Sequence, residues 1–217
     1  EKNYYHMNLY GYQIRYNMNF LNYNPEDFFD EYFYNINDPR PESELLISAI
    51  NKLPQGDLKR KQEASNRSMY NMGITFRVYG QSKESERAIP FDIIPRIING
   101  NDWNPIERGL KQRIKAINMF INDVYNDRKI IKDSIVPEEL VESSKGFLSE
   151  CIGLKPSNNV WAHVTGTDLV RDSDGQFYVL EDNLCVPSGV SYALINRNLM
   201  KRNFPEIFHK SYVRQII

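Results

Sequence analysis

The chain has 217 residues, of which 41% are hydrophobic and 25% charged, a balance typical of globular proteins with a sizeable core. Its formal net charge is −1 and its basic residues are scattered among acidic ones, so no basic stripe predicts binding to nucleic acid or to an anionic membrane. Because no apolar run approaches the ~20 residues of a membrane span and residues 1–24 lack the apolar centre of a signal peptide, we expect a cytoplasmic location and no membrane partner.

The N-terminal part of the chain predicts an arm followed by two helices. Residues 1–24 are rich in Asn and Tyr and show no clear periodicity, so we expect an irregular N-terminal arm there. Apolar residues recur at helical spacing over about 42–53 and predict an amphipathic helix. A more polar helix is expected over about 57–71, because Gly73 can provide its C-terminal cap.

Extended segments follow these two helices. The alternation of side chains over 74–79 is typical of a β-strand. Residues 89–98 are apolar, but Pro90 and Pro95 interrupt them. Because proline cannot donate a hydrogen bond to a sheet, we expect this segment to be extended or broken, and not a central strand.

The clearest predicted helix runs from Pro105 to about Tyr125. Asn104 can cap it, and Glu107 sits where a capping acid belongs. Its apolar residues form one core-facing stripe, made of Ile106, Leu110, Ile114, Ile117, Ile121 and Val124. Its basic residues are interpreted as a solvent-exposed face, made of Arg108, Lys111, Arg113 and Lys115. A short helix is expected near 137–143.

A hairpin is predicted after these helices, within residues 160–183. Strand-like stretches over 160–170 and 176–180 flank the dipeptide Asp174-Gly175. This dipeptide tolerates the positive backbone angles of a two-residue turn, so we place the hairpin tip there. The alternation of side chains puts Arg171 on the face opposite to Asp168, where we expect it to form a surface salt bridge.

The proposed tip places Asp168 directly opposite Glu181, with Asn183 two residues further along the same face. Opposed carboxylates repel each other unless a proton, a basic side chain or a bound cation neutralises them. Two carboxylates and an amide oxygen suit Mg²⁺, which completes its shell with waters and nucleotide phosphates. The pattern therefore indicates a Mg–nucleotide site. From spacing alone, an edge hairpin whose acids point into water stays open as the alternative.

These residues resemble the metal-binding end of the ATP-grasp ligases, which include the D-alanine–D-alanine ligases. In that superfamily an Asp on one strand and a Glu-x-Asn on the next hold two magnesium ions on ATP, and Glu181-Asp182-Asn183 has this form. The wider chain is similar to circularly permuted ATP-grasp proteins related to glutathionylspermidine synthetase. The stretches that carry this similarity are Gly73–Tyr79, Pro90–Ile98, Trp103–Arg113 and Leu180–Tyr192.

The resemblance implies an α+β, ATP-grasp-like and circularly permuted fold, with a mixed or antiparallel sheet and packed helices. It also implies that ATP and Mg²⁺ serve the joining of a small-molecule or peptide carboxylate to an amine through an acyl phosphate. The implied metal ligands are Asp168, Glu181 and Asn183, with Glu181 bridging two ions. Ser188 and Gly189 are candidates for contacts with the substrate or with the nucleotide phosphates, although the run after Asn183 is longer than the usual ATP-grasp segment.

Two further features of the sequence depart from the ATP-grasp pattern. Thr167 stands where the D-alanine ligases have an Arg next to the metal-binding Asp. No Gly-rich flap with a phosphate-binding Lys occurs, so the second lobe is incomplete and we expect a C-terminal lobe to supply it. We therefore interpret residues 25–217 as a portion of a permuted ATP-grasp domain. Its function is either that of a carboxylate–amine ligase or that of a non-catalytic binding module on a truncated scaffold.

Overall fold

A computed structural model describes residues 7–8, 11–12, 20, 23–77 and 86–216. The chain divides into two compact units, Glu1–Ile98 with Val190–Ile217, and Asn99–Gly189. Helices alternate with antiparallel strand pairs in the described part, so the predicted mixture of α and β structure is confirmed. None of the described helices is both long and apolar enough to cross a lipid bilayer. Most of the predicted N-terminal arm lies outside the described residues.

The elements follow one another in a simple order. The first are β1 (Met7–Asn8), β2 (Gly11–Tyr12), β3 (Phe33–Asn35), β4 (Asp38–Pro39), α1 (Glu44–Asn51), α2 (Asp57–Asn71), β5 (Thr75–Arg77) and β6 (Glu86–Ala88). After them come α3 (Gly100–Tyr125), α4 (Lys129–Lys132), α5 (Glu138–Glu142), β7 (Gly166–Arg171), β8 (Phe177–Asn183), α6 (Gly189–Asn203) and α7 (Pro205–Lys210). Each described strand pairs antiparallel with its neighbour in the sequence, β1 with β2 and so on to β7 with β8.

The first unit is organised around one hydrophobic core. Side chains from α1, α2, α6 and the extended segments meet there, namely Leu46, Ile50, Leu58, Met69, Ile74, Phe91, Ile93, Leu199 and Phe204. Helix α2 has the predicted bounds, and Gly73 closes it with a backbone φ of 70°. The amide of Ile74 donates to the carbonyl of Met69 there, which is the longer bond of a Schellman cap.

A buried glutamine holds the proline-interrupted segment against α2. Residues 89–98 contain no helix or strand, as predicted, so they have no ladder of backbone hydrogen bonds. The side-chain amide of Gln62 donates to the carbonyl of Phe91 and accepts from the amide of Ile93 at 3.3 Å. The Gln62 side chain thus satisfies one backbone group on each side of Asp92, and Asp92 itself is exposed.

The second unit is built on α3, which begins five residues before the predicted start. Asn99 caps the helix by accepting from the amide of Asp102 at 3.0 Å. Asn104 and Glu107 form a competing capping pattern that the structure does not use. Glu107 instead pairs with Lys111 at 2.7 Å, one turn further along the helix. Pro105 consequently lies inside the helix, near its N-terminal end.

Aromatic stacking and asparagine side chains attach the segment before the hairpin to α3. The ring of Tyr125 stacks on Phe147 at 5.3 Å and on Trp161 at 4.9 Å between centroids. The Oδ1 atom of Asn118 accepts from the backbone amides of Trp161 and Ala162, at 2.7 and 3.0 Å. These contacts determine where the chain enters β7. The predicted stripe of α3 is half-buried up to Ile121 and fully buried at Val124.

Candidate functional site

The predicted pairing of Asp168 with Glu181 is confirmed, but the predicted tip is wrong. Three residues, Ser173 to Gly175, form the turn, in which the amide of Gly175 donates to the carbonyl of Asp172 and Gly175 has a φ of 81°. This turn alone would place Asp168 opposite Leu180. A register shift between Asp168 and Leu169 leaves Leu180 as an extra residue on β8, and this bulge returns Glu181 to its place opposite Asp168.

The outer face of the hairpin carries the proposed ligand set. We define this face by the side chains of Asp168, Val170, Tyr178, Glu181 and Asn183. The side chains of Asp168, Glu181 and Asn183 are all exposed. The amide nitrogen of Asn183 donates to Oε1 of Glu181 at 3.1 Å. Among the described residues, no Lys or Arg forms an ion pair with either carboxylate. The repulsion between the two acids is therefore not relieved by a basic side chain of the described chain.

The inner face of the same hairpin lies against α3. The Oδ2 atom of Asp182 accepts from Arg113 at 2.7 Å, and its Oδ1 atom accepts from the hydroxyl of Thr167 at 2.9 Å. Arg171 pairs with Asp102 at 2.8 Å and stacks over the ring of Phe177. The face of Arg171 is thus as predicted. Its salt bridge, however, is not on the surface. Only 7% of the Arg171 side chain is exposed, because it lies between the hairpin and α3.

The loop after β8 bends over the base of the outer face. A Cβ atom at Gly166 would lie 3.1 Å from Cβ of Pro187, so the absence of a side chain there allows this close approach. Val186, just before Pro187, has a φ of 45°, an unusual conformation for a β-branched residue. Ser188 and Gly189 are exposed at the start of α6. Their assignment as nucleotide contacts stays a prediction.

The tip of the hairpin is held by its own acids. Asp174 accepts from the amide of Gln176 at 2.8 Å and from the hydroxyl of Tyr178 at 3.2 Å. The negative charge of Asp174, together with this hydrogen bond, raises the pKa of Tyr178 above its usual range. These contacts occupy Asp174 at the tip, six residues after Asp168 and seven before Glu181, so Asp174 is not part of the outer-face pair.

The donor set of the outer face fits a hard divalent ion. It supplies two carboxylates and one amide oxygen, and Mg²⁺ commonly takes one or two carboxylates together with waters and phosphates. Within the described part of the chain, no three His, Cys, Asp or Glu side chains converge into a complete metal cage. The rest of the coordination shell of such an ion would come from beyond the described side chains, for example from waters and nucleotide phosphates.

Comparison with protein families shows to which family the chain belongs. Residues 95–217 match the family described as circularly permuted ATP-grasp, type 2. The chain belongs to this family. The matched region contains α3, the whole β7–β8 hairpin and both C-terminal helices. A circularly permuted ATP-grasp sequence thus carries the paired acids that the hairpin register brings together.

Several relatives of this ATP-grasp chain are longer than it is. An uncharacterized protein of Synechocystis is 50% identical over 191 residues, which cover 88% of this chain and 40% of that protein. An uncharacterized protein of Mycobacterium leprae is 39% identical over 201 residues, covering 91% and 35%. A Frankia alni protein that has the provisional name glutamate–cysteine ligase 2-3 is 39% identical over 169 residues, covering 77% and 19%. The chain therefore spans less than half the length of these relatives.

Two contacts of the site are not among those predicted from the sequence. All four basic residues of α3 are exposed as predicted, but Arg113 also binds Asp182. The second contact is that of Asp102, whose backbone amide donates to the cap residue Asn99 and whose carboxylate binds Arg171. The alternation within Glu181-Asp182-Asn183 contains a signal for the first contact, because a charged residue between two outward-facing ligands needs a partner on the inner face.

Proposed function

We propose that this chain carries the Mg–nucleotide-binding hairpin of an ATP-dependent carboxylate–amine ligase, related to glutathionylspermidine synthetase. Asp168, Glu181 and Asn183 would hold magnesium on ATP, and Glu181 would serve as a ligand of two ions. The observation that carries this proposal is the register of the hairpin. It places two carboxylates, which no basic side chain of the described residues neutralises, and an amide on one exposed face of a chain that belongs to an ATP-grasp family.

The chemistry follows from the charge of this face. Transfer of the terminal phosphoryl group of ATP to a carboxylate requires that the phosphate oxygens be neutralised and held in line. Mg²⁺ supplies this neutralisation when bound. Asp168 and Glu181 fix its position from two strands, and the carbonyl oxygen of Asn183 adds a neutral ligand. The substrate acid becomes an acyl phosphate with release of ADP, and an amine then attacks its carbonyl carbon and displaces phosphate.

The substrate class is supported by a relative. The name of the Frankia alni protein describes a ligase for glutamate and cysteine, which presents a carboxylate and an amine. We propose the same pairing for this protein, with a small molecule or a peptide providing each group. Ser188 and Gly189 contact the nucleotide, and a lobe outside this chain provides the Gly-rich flap and the phosphate-binding Lys. A cytoplasmic location, where ATP is abundant, is part of the proposal.

Binding of Mn²⁺ in place of Mg²⁺ tests the proposed site directly. In the full-length protein with a non-hydrolysable ATP analogue, Glu181→Gln and Asp168→Asn should each weaken Mn²⁺ binding by more than about tenfold, because each removes a charged ligand. Electron paramagnetic resonance of free Mn²⁺ measures this affinity. Glu150→Gln is the matched control, since Glu150 is an exposed acid of the same unit outside the hairpin, and it should not change the affinity.

The same protein distinguishes the ligase from a non-catalytic module. A ligase releases ADP in a manner that depends on magnesium, an added acid and an added amine, and both hairpin variants should lose this release while their unfolding curves stay like that of the parent protein. Undiminished Mn²⁺ affinity in both variants would refute the metal site. Retained Mn²⁺ and nucleotide binding without ADP release under any acid–amine pair would instead identify a binding module.

A further inference from the structure

Two ion pairs of opposite polarity join the hairpin to α3. Near its start the helix provides an acid, Asp102, which binds Arg171 of β7 at 2.8 Å. Three turns later it provides a base, Arg113, which binds Asp182 of β8 at 2.7 Å. Both hairpin side chains are largely covered, with 7% of Arg171 and 11% of Asp182 exposed. Buried charges of this kind are held in place by their partners.

The distance between the two charged residues of α3 is close to the distance between their partners on the hairpin. Asp102 and Arg113 are eleven residues apart, so they lie on one face of α3 about 16 Å from each other. Arg171 and the Thr167–Asp182 pair are four residues apart along β7, or about 13 Å. The long side chains of the two arginines span the difference. Each strand is therefore attached separately to the same rigid helix.

The relative position of the two strands decides which acids face outward. With the bulge at Leu180, the outer face contains Asp168, Glu181 and Asn183. Without the bulge, the register near the tip would continue to the base, and Asp168 would instead face Leu180. Asp182 would then turn to the outer face and Glu181 to the inner face, because a slip by one residue reverses the direction of every side chain. The sequence alone permits both arrangements.

We propose that α3 selects the first arrangement, and that Arg113 is a positioning residue for the ion site. Arg113 and the Thr167 hydroxyl bind one oxygen each of Asp182, and together they hold it on the inner face. Because Asp182 lies between Glu181 and Asn183, holding it inward turns both neighbours outward. Arg171 and Asp102 fix the other strand, so β8 cannot slip relative to β7. The ion-binding consequence rests on the proposed function, whereas the register consequence does not.

Cross-linking measures the register without any ligand. In the full-length protein with Cys151→Ser, Cys185→Ser and every cysteine outside this chain also replaced by Ser, the pair Asp168→Cys with Glu181→Cys should form a disulfide rapidly under mild oxidation. The pair Asp168→Cys with Leu180→Cys should form one slowly. Arg113→Met should raise the rate of the second pair relative to the first by at least about tenfold, because it releases Asp182 from the inner face. Lys111→Met, which removes a cation from the same helix away from the hairpin, should not change the ratio.

Mn²⁺ affinity measures the consequence for the ion site. Arg113→Met should weaken binding by about 10- to 100-fold, the range typical for residues that orient metal ligands. Arg113→Lys should restore most of the affinity, because it keeps the charge, and Lys111→Met should have no effect. Thr167→Val, which removes one hydroxyl contact, should shift both readouts in the same direction by a smaller factor. If Arg113→Met does not fold, Thr167→Val still tests the positioning role.

The outcomes separate this proposal from the proposed function. An unchanged cross-linking ratio in folded Arg113→Met and Thr167→Val overturns the positioning role, even if Glu181→Gln abolishes Mn²⁺ binding. A changed ratio supports the control of register, even if Glu181→Gln leaves Mn²⁺ binding intact and the metal site fails. A loss of Mn²⁺ affinity in Arg113→Met that Arg113→Lys does not restore also contradicts a role that depends on the ion pair.

Discussion

The two units of the chain rely on different interactions. In the first unit, apolar side chains from several helices and extended segments are buried in one core around Leu46 and Ile93. In the described part of the second unit, the buried apolar side chains are Val124, Tyr125 and Ala162. That unit is held by stacking, asparagine hydrogen bonds and ion pairs on α3. Burial can stabilise a fold without specifying a register, whereas directional polar contacts can specify one.

The largest effect is expected from breaking the core of the first unit. Leu46→Ala removes a side chain that is 1% exposed and should lower the free energy of unfolding by about 2–5 kcal/mol, through lost burial and the cavity that remains. Urea unfolding followed by far-ultraviolet circular dichroism measures the change. Leu180→Ala is the control, because Leu180 is 69% exposed, and it should change stability by less than about 0.5 kcal/mol. Equal effects of the two changes would contradict the conclusion that apolar burial stabilises the first unit.

A smaller effect is expected from removing a polar anchor of the second unit. Asn118→Leu leaves the amides of Trp161 and Ala162 without their acceptor and should cost about 1–3 kcal/mol. Tryptophan fluorescence during urea unfolding reports this change, since Trp103 and Trp161 both belong to the second unit. Asn104→Leu is the control at an exposed position of the same helix. If Asn118→Leu were no more destabilising than this control, the proposed importance of polar anchoring would be wrong.

The smallest effect should be a gain at the strained loop. Val186 has a positive φ that costs a β-branched residue about 1–2 kcal/mol, and glycine removes this cost while adding about 0.5–1 kcal/mol of chain entropy loss on folding. Val186→Gly should therefore raise stability by up to about 1.5 kcal/mol, which thermal unfolding followed by fluorescence can detect. Val186→Ala keeps a Cβ atom and should bring little gain. A clear loss of stability in the glycine variant would show that the loop is not strained.

Elements whose ends have one local signal each agree with their predictions, whereas an end with two competing signals does not. Helix α2 has its predicted bounds because its start, after Gly56, and its end, at Gly73, are both determined by adjacent backbone conformations. The predicted start of α3 is wrong because two capping patterns lie five residues apart, and Asp102 at the earlier one also binds Arg171. Helix α6 has no counterpart among the predicted elements, since Asn196, Arg197 and Asn198 interrupt its apolar pattern.

The pairing of Asp168 with Glu181 shows how a correct prediction can rest on an incomplete reason. The turn contains one residue more than predicted, and the bulge at Leu180 compensates for it. The position of a bulge is not encoded in the alternation of the strand alone, because both registers place an acid opposite or beside Asp168. The inner contacts of Asp182 with α3 distinguish them.

The sequence by itself determined that the chain contains an ATP-grasp type of hairpin, with two acids and an amide at a spacing suited to one sheet face. It also determined the helices with clear caps and apolar stripes, because these signals act over a few residues. Only the tertiary structure decided which acid of Glu181-Asp182 faces outward and where α3 begins. Both depend on charges that are distant in sequence, and such pairs form only after the helix and the hairpin have packed together.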